Sequence, residues 1–537
     1  MTIQSILEKI KNNESLNNPS TKKLLFIVAF VLIFLRILSF AWCSDDAYHA
    51  YIMSSNLLAG KGFTPTPGIR VNVSTCPLWT LVVTLGMAVW NNAYAVGMLL
   101  NLLFSGIALF MLFKFIYKKD EWLIILSAVT AVLCTSKTYL SYTTSGLENA
   151  QILMLSSFSL TVLFKNEYFS KKELFKIALL EGLIAFTRMD CALIFALTSA
   201  YVFLFRYKKD EKDSGKFSMN KLFHVIPIAL AGLSPFILWE LFSWFYYASF
   251  VPNTALAKLN TGFPLSDYLL RGVWYVIRTS CYNIDGTYDP LVLFVPVLFI
   301  ISVIKSVRNT NYTKEIFVAS GIVFYFFYVI YIGGDFMRGR HFLSLFWISL
   351  LSCLYLKTPF RYHVTFKHCC IFLLVFFFGL LEKSPCWYTD EQQFYYKCTG
   401  LIPVLRFQKM ENTITNCKNH GIQWFYGDKS YYEYRLYDPL LSRLPAIHQK
   451  DWEIGHMFRK IPAGYQKTLD TGINYIEDKN LAFYYDKLKF ILSGDLFDAE
   501  RVKEIIKFNN GTYDQYLYQY IEENDLTNPP KRHLKGG

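Results

Sequence analysis

From Leu24 to Leu381 long apolar runs alternate with short polar links, and from Lys383 onward the alternation stops. Eleven runs are close to the length needed to cross about 30 Å of hydrocarbon. They cover residues 24–42, 94–116, 121–138, 149–164, 174–188, 191–206, 222–246, 290–306, 315–333, 341–356 and 366–381. The pattern predicts a mainly α, polytopic helical membrane bundle. A short N-terminal segment, 1–23, precedes it, and a first outward loop, 44–92, interrupts it. Within that loop Tyr48–Leu58 has helical spacing with a mixed face and is expected to lie along the membrane interface. Gly60-Lys61-Gly62 and Pro65-Thr66-Pro67-Gly68 then break the chain, and Ser74-Thr75-Cys76-Pro77-Leu78-Trp79 opens a second apolar stretch. Residues 382–527 read as a C-terminal extra-cytoplasmic domain of mixed α/β character. Its helices are predicted at Lys479–Leu492 and Asp498–Phe508, with a strand at Ile422–Tyr426. The basic, Pro/Gly-bearing stretch 528–537 is expected to be disordered.

Charge orients the bundle. With the N-terminus cytoplasmic, the inward links carry Lys114/Lys118/Lys119, Lys165/Lys171/Lys172/Lys176, Arg206/Lys208/Lys209/Lys212/Lys216, Lys305/Arg308/Lys314 and Lys357/Arg361/Lys367. This is the bias of a multi-pass protein of the inner membrane. An odd number of spans then places the C-terminal region outside. The net charge of +13 is accounted for by these links, which excludes a nucleic-acid partner. Of 537 residues 53% are hydrophobic and 18% charged, far from the balance of soluble domains. The first run lacks a small-residue cleavage site and is expected to stay as an anchor. The eleven cysteines show no zinc spacing; Cys386, Cys398 and Cys417 share the polar tail, where one disulfide can form in an oxidising space.

The most informative chemistry follows the first span. Asp45-Asp46-Ala47-Tyr48-His49 sets adjacent carboxylates at the membrane surface, where they either cap the next helix or do chemistry. On the orientation above, Asp45, Asp46, Glu148, Arg188, Asp190, Asn253, Lys258, Asp335, Arg338 and Arg340 all fall in, or at the mouth of, outward loops. Charges of both signs near hydrocarbon point to a polar cleft. Taken singly, each also fits a structural ion pair, such as Arg188 with Asp190. Trp79, Trp244, Tyr246 and Tyr247 lie on the same side, as interface aromatics or as platforms for a sugar ring.

The loop resembles the first periplasmic loop of GT-C glycosyltransferases, closest to the branch with the terminal arabinofuranosyltransferases of cell-wall arabinan. The match runs through Asp45-Asp46-Ala47-Tyr48, Asn56-Leu57-Leu58-Ala59-Gly60-Lys61-Gly62-Phe63, Pro67-Gly68-Ile69-Arg70-Val71 and Ser74-Thr75-Cys76-Pro77-Leu78-Trp79. It continues in order through Ser145-Gly146-Leu147-Glu148, Arg188-Met189-Asp190, Val251-Pro252-Asn253-Thr254 and Gly333-Gly334-Asp335-Phe336-Met337 with Arg340. In the tail it includes Tyr437–Pro445, Gly455–Tyr465 and, more weakly, Tyr485-Asp486-Lys487 with Gly494-Asp495-Leu496-Phe497. The chain departs from the pattern at His49, Ile69 and Cys76.

The resemblance implies a membrane glycosyltransferase that moves a sugar from a polyprenyl-phosphate carrier, by inversion, to a glycan or glycolipid acceptor. It implies a catalytic role for Asp45 and Asp46, with Asp45 favoured as general base, and the same pair would hold a divalent Mg or Mn ion if one assists. Lys258, Arg338, Arg340, Asn253, Arg188, Asp190, Glu148 and Asp335 become candidates for binding donor phosphate or sugar. His456, Arg459 and Tyr465 are candidates for an acceptor path, or for docking the tail onto the bundle. A lipid-linked-glycan transporter would be expected to show repeat-related broken helices, which the chain lacks. A non-catalytic assembly protein would leave the Asp pair unexplained.

Overall fold

The computed structural model describes residues 18–208, 219–280, 288–307, 313–356, 399–401, 438–449, 457–527 and 531–532. Helices occupy each of the expected runs up to residue 356: α1 (Pro19–Phe40), α2 (Asp46–Leu58), α3 (Pro77–Val89), α4 (Ala93–Ile116), α5 (Trp122–Thr135), α6 (Lys137–Tyr142), α7 (Asn149–Lys165), α8 (Lys171–Thr187), α9 (Met189–Tyr201, continued by a π turn Val202–Arg206), α10 (Met219–Tyr247), α11 (Asn253–Leu259), α12 (Leu265–Ser280), α13 (Leu291–Val307), α14 (Thr313–Tyr331) and α15 (Phe342–Tyr355). Among the described residues, five helical stretches are long and apolar enough to cross a membrane: Pro19–Phe40, Ala93–Ile116, Met189–Arg206, Met219–Tyr247 and Lys314–Tyr331. The apolar helices Pro77–Val89, Trp122–Thr135, Leu291–Lys305 and Phe342–Tyr355 are shorter. The expected span 366–381 lies outside the described residues, as do Cys386, Cys398, Cys417 and the expected strand Ile422–Tyr426.

One expected span ends differently from the apolar pattern, and one helix falls in no expected run. The run 121–138 stops at Thr135, because Ser136 turns the chain and caps α6 by accepting from the Tyr139 N–H. Asp289 fixes that turn, accepting from Ser136 Oγ at 2.7 Å and from the Thr138 N–H at 2.9 Å. α12 falls outside the expected runs because Asp267, Arg271 and Arg278 keep it from being continuously apolar; it is amphipathic, with Gly272, Tyr275 and Thr279 on its buried side. Close helix contacts are made through glycine: a Cβ at Gly321 of α14 would lie 2.0 Å from the Ile194 carbonyl of α9.

The two ends of the bundle differ in chemistry. At one end residues 399–401 meet the start of the first loop: Leu401 N–H donates to the Ala41 carbonyl at 2.8 Å, and Thr399 Oγ1 to the Cys43 carbonyl at 2.7 Å. At the other, lysines close the inter-helix links. Lys22 Nζ donates to the Tyr117 carbonyl at 2.8 Å, Lys221 to that of Tyr207 at 3.1 Å and Lys314 to that of Leu163 at 2.9 Å.

The described part of the tail does not stand apart as a domain with a core of its own. Its strands β1 (Ala446–Gln449), β2 (Met457–Arg459) and β3 (Lys531–Arg532) form a small sheet in the order β2-β1-β3, antiparallel on one side and parallel on the other. The pairing of Lys531 and Arg532 revises the expectation of disorder at those two positions, since backbone pairing needs no apolar side chain. Helices α16 (Tyr465–Thr471), α17 (Lys479–Ser493), α18 (Ala499–Asn509) and α19 (Asp514–Glu523) follow. Leu444, Tyr465, Leu481, Tyr484, Leu488 and Ile491 share one hydrophobic cluster with Met53, Phe63 and Val71 of the first loop and with Trp239 and Tyr247 of α10.

Candidate functional site

The first loop turns back at the end of α1 and immediately starts α2. Ser44 N–H donates to the Ser145 carbonyl at 2.8 Å, tying this turn to the Ser145-Gly146-Leu147-Glu148 segment. Gly146 has φ +77°, and a Cβ there would lie 2.8 Å from both Ala47 Cβ and Cys43 Sγ, so glycine is what permits the approach. Trp79 Nε1 donates to the Gly146 carbonyl at 3.0 Å and holds the third side of the corner. Asp45 caps α2, its Oδ1 accepting from the Asp46 N–H at 2.7 Å, so both capping and chemistry remain open to it. The helix terminus favours the ionised carboxylate.

Asp46, one position on, faces cations. Its Oδ2 lies 3.0 Å from Arg340 Nη1 and its Oδ1 3.7 Å from His49 Nε2. Burial alone would raise the Asp46 pKa, but Arg340 first, then His49 and Lys258, outweigh it and hold the carboxyl below its usual range. Arg340 also reaches Glu148 Oε1 at 3.2 Å and Asp335 Oδ2 at 3.7 Å. Burial opposes its charge, yet Glu148, Asp335 and Asp46 together raise its pKa and keep it cationic.

Glu148 is sealed, at 1% exposure, and its Oε1 is shared by both arginines: Arg188 Nη1 approaches it at 3.3 Å. Arg188 also forks onto Asp190, with Nε–Oδ1 at 3.0 Å and Nη2–Oδ2 at 2.6 Å, which is the structural pair expected from the sequence. Glu148 Oε2 and Arg340 Nε are buried with no hydrogen-bond partner among the described residues. His341 closes the network. Its Nδ1 lies 2.9 Å from Arg188 Nη2, a pure donor, so Nδ1 accepts and Nε2 carries the proton, facing Asp335 Oδ2 at 3.6 Å. Tyr325 OH donates to Asp190 Oδ2 at 2.9 Å, and Tyr275 OH donates to the Met337 carbonyl at 3.1 Å. Sequence reasoning missed His341, Tyr325 and Tyr275. His341 abuts the Arg338-Gly339-Arg340 motif, a signal that could have found it; Tyr325 is one aromatic among many in a span.

The other expected residues sort by place. Lys258 is exposed on α11, near enough for its charge to act on Asp46 and His49, and Arg338 is buried in the same turn as Arg340. Asn253 does not join the carboxylate network. Its Nδ2 donates to the Asp438 carbonyl at 3.3 Å and its Oδ1 accepts from Ser442 Oγ at 2.8 Å, so it binds the tail to α11. Arg459 does the same from the tail side, donating to the carbonyls of Leu444, Ala257 and Asn260 at 2.8, 2.6 and 3.3 Å. Tyr465 is fully buried and donates to Asp438 Oδ2 at 2.6 Å. Among the described residues these are docking and core contacts; His456 lies outside the described residues. Trp79 and Tyr247 are likewise enclosed, at 0% and 2% exposure, which removes them as sugar platforms.

A divalent ion needs several free oxygen ligands. Asp46 gives one oxygen to Arg340 and turns the other to His49, and Asp45 gives one to a backbone N–H. Among the described residues no group of three or more His, Cys, Asp or Glu side chains is arranged to hold a metal. The carboxylates present do not fit one. Cys76, where the chain departs from the pattern it resembles, is half-buried beside the network; desolvation first and Glu148 next push its thiol up, leaving it neutral.

The terminal beta-(1->2)-arabinofuranosyltransferase of Mycobacterium tuberculosis (strain ATCC 25618 / H37Rv) is 27% identical to this chain over an alignment of 337 residues, and the match covers 56% of this chain and 50% of the relative. The chain therefore spans about half the length of the curated relative it matches. No family model matches, and no solved structure gives a significant match. Similarity at this level supports a related glycosyltransferase family, without pointing to a particular member.

Proposed function

We propose that the chain is a membrane glycosyltransferase that moves a sugar from a polyprenyl-phosphate carrier to a cell-envelope glycan or glycolipid on the outer face of the inner membrane. The observation that carries the reading is the Asp45–Asp46 corner, built against a buried carboxylate–arginine network at one end of an apolar helical bundle. The similarity to an arabinofuranosyltransferase supports the same class. In the reaction the acceptor hydroxyl oxygen attacks the anomeric carbon from the face opposite the phosphate. The bond between that carbon and the phosphate oxygen breaks, and the polyprenyl phosphate leaves with the electron pair. Asp45 takes the hydroxyl proton, which is the task of a general base. Asp46, kept ionised by Arg340, orients the acceptor.

Arg340 and Arg188 are already surrounded by Asp46, Glu148, Asp335 and Asp190, so their charge is largely neutralised within the protein. Stabilising the departing phosphate then falls to Lys258 and Arg338. Reconstitution of the purified chain in nanodiscs with a radiolabelled polyprenyl-phosphate sugar tests the proposal. Turnover is expected with the lipid-linked donor and is lost in Asp45→Asn; efficient transfer from a nucleotide sugar without lipid carrier would refute the donor class.

A further inference from the structure

The Gly494-Asp495-Leu496-Phe497 motif connects α17 to α18, and the reaction leaves it without a task. Its backbone is held by the first loop: Arg70 Nη2 donates to the Gly494 carbonyl at 2.5 Å, and the Arg70 N–H to the Leu492 carbonyl at 3.0 Å. From the other side, Arg501 of α18 is fully buried and donates to the Phe245 and Tyr246 carbonyls of α10 at 2.9 and 3.1 Å. Those are the last carbonyls of a helix long and apolar enough to cross a membrane, where no intrahelical donor is available. The loop is thus fixed at the outer end of a span, and Phe497 is the side chain it leaves bare, at 81% exposure.

Phe497 lies against Phe245, ring centroids 6.0 Å apart. Below Phe245 on the same helix come Phe242, Leu241 and Leu238, exposed by 39%, 56% and 64%. Positions 238, 241, 242 and 245 recur at helical spacing and form one stripe. In a span, such a stripe faces lipid tails, and Phe497 continues it beyond the end of the helix. A phenylalanine this exposed, in a loop otherwise pinned by half-buried Arg70 and fully buried Arg501, has little packing reason to be apolar. An interfacial lipid layer supplies one.

We propose that the Leu496-Phe497 tip is an interfacial membrane contact, seated in the headgroup–acyl boundary beside α10. The bilayer then holds the same loop that grips Arg70, and sets the height of the tail over the first loop. Hydroxyl-radical footprinting of the unmodified chain in phosphatidylcholine nanodiscs, read by mass spectrometry, tests it. Tyr518 of α19, 62% exposed, serves as the internal reference after correction for intrinsic reactivity. Phe497 is expected to oxidise several-fold more slowly than Tyr518; equal or faster oxidation overturns the proposal. An environment-sensitive fluorescent amino acid placed at 497 gives an independent reading. Quenching by lipids with a nitroxide near the headgroup supports the contact, and quenching no stronger than at position 518 overturns it. Neither measurement depends on sugar transfer.

Discussion

Replacing Arg340 by Gln removes one of two guanidiniums from a network of four carboxylates and leaves Glu148 with Arg188 as its one cationic neighbour among the described residues. The side chain of Arg340 is 11% exposed and that of Glu148 1%, so water cannot take over. Breaking a buried pair of this kind costs about 3–5 kcal/mol. The effect on Asp46 is separable. Charges about 4 Å apart at an effective dielectric near 20 attract by about 4 kcal/mol. Asp46 is 27% exposed and keeps Lys258 and His49 nearby, so its pKa rises in the variant, by less than the loss of Arg340 alone would give. The sign follows from the depressed pKa. In the parent chain the ionised Asp46 contributes above the ordinary carboxylate range and is lost as pH falls through its lowered folded value. In Arg340→Gln the acid limb of turnover therefore moves to higher pH, and the melting midpoint in detergent drops. Arg340→Lys restores the charge but not the fork that spans Asp46 and Glu148, so it recovers the acid limb better than the stability. An Arg340→Gln chain with an unmoved acid limb and an unchanged melting midpoint would refute the reasoning.

Asp45→Asn should lower turnover about a hundred- to ten-thousand-fold while donor binding stays near normal; if Asp46→Asn fails and Asp45→Asn does not, the two roles are exchanged. Gly146→Ala forces a left-handed residue to carry a side chain, at about 1–2 kcal/mol for the backbone, and pushes Ala47 and Cys43 off the corner, so both thermal stability and turnover should fall together. Arg459→Met strips the Leu444, Ala257 and Asn260 carbonyls of their donor and should speed proteolysis of the tail in nanodiscs; an unchanged cleavage rate would remove Arg459 from the docking contacts. Burial first pushes the Asp438 carboxyl up to about 6 from 3.8, against its bond from Tyr465 and the two backbone N–H groups. The fold then holds a proton that the unfolded chain releases, so this group's contribution falls by up to about 3 kcal/mol as pH rises from about 4 to about 6, and Asp438→Asn should flatten that slope in a melting series.

The helices were legible wherever twenty or so apolar residues ran together, because a bilayer imposes length before any packing is decided. Lys479–Leu492 and Asp498–Phe508 were legible for a different reason: their apolar positions recur at helical spacing after a capping aspartate, and the observed helices differ by a residue or two at their ends. The break at Ser136 was not legible, since its cause is Asp289, over a hundred and fifty positions away. The register of the tail on the first loop was hidden in the same way. Arg70 and Gly494 each sit in a motif, but nothing in either motif says that they touch.

The Asp45–Asp46 pair was visible because two carboxylates at the mouth of an apolar span demand a compensating cation, and the sequence offered Lys258, Arg338 and Arg340 for that task. Which cation answers depends on packing. Gly321 lets α14 close onto α9, and Gly272 lets α12 close onto the end of α14, where a Cβ would lie 2.1 Å from the Ile330 carbonyl. These contacts carry Tyr325 to Asp190 and Tyr275 to the turn that holds Met337. That turn delivers Arg340 to Asp46 and Glu148, positions separated from it by 294 and 192 residues. An arginine read from its motif as a phosphate ligand thus becomes an internal strut. Among the described ion pairs, four carboxylates surround the two guanidiniums, so the charge of Arg340 and Arg188 is already met within the network. On the proposed reaction the donor phosphate is then expected to approach from the side of Lys258, exposed on α11. Asp45 and Asp46 share the capped end of α2, but Asp46 is held by Arg340 while Asp45 caps the helix, and on the proposed reaction this is the argument for Asp45 as the base.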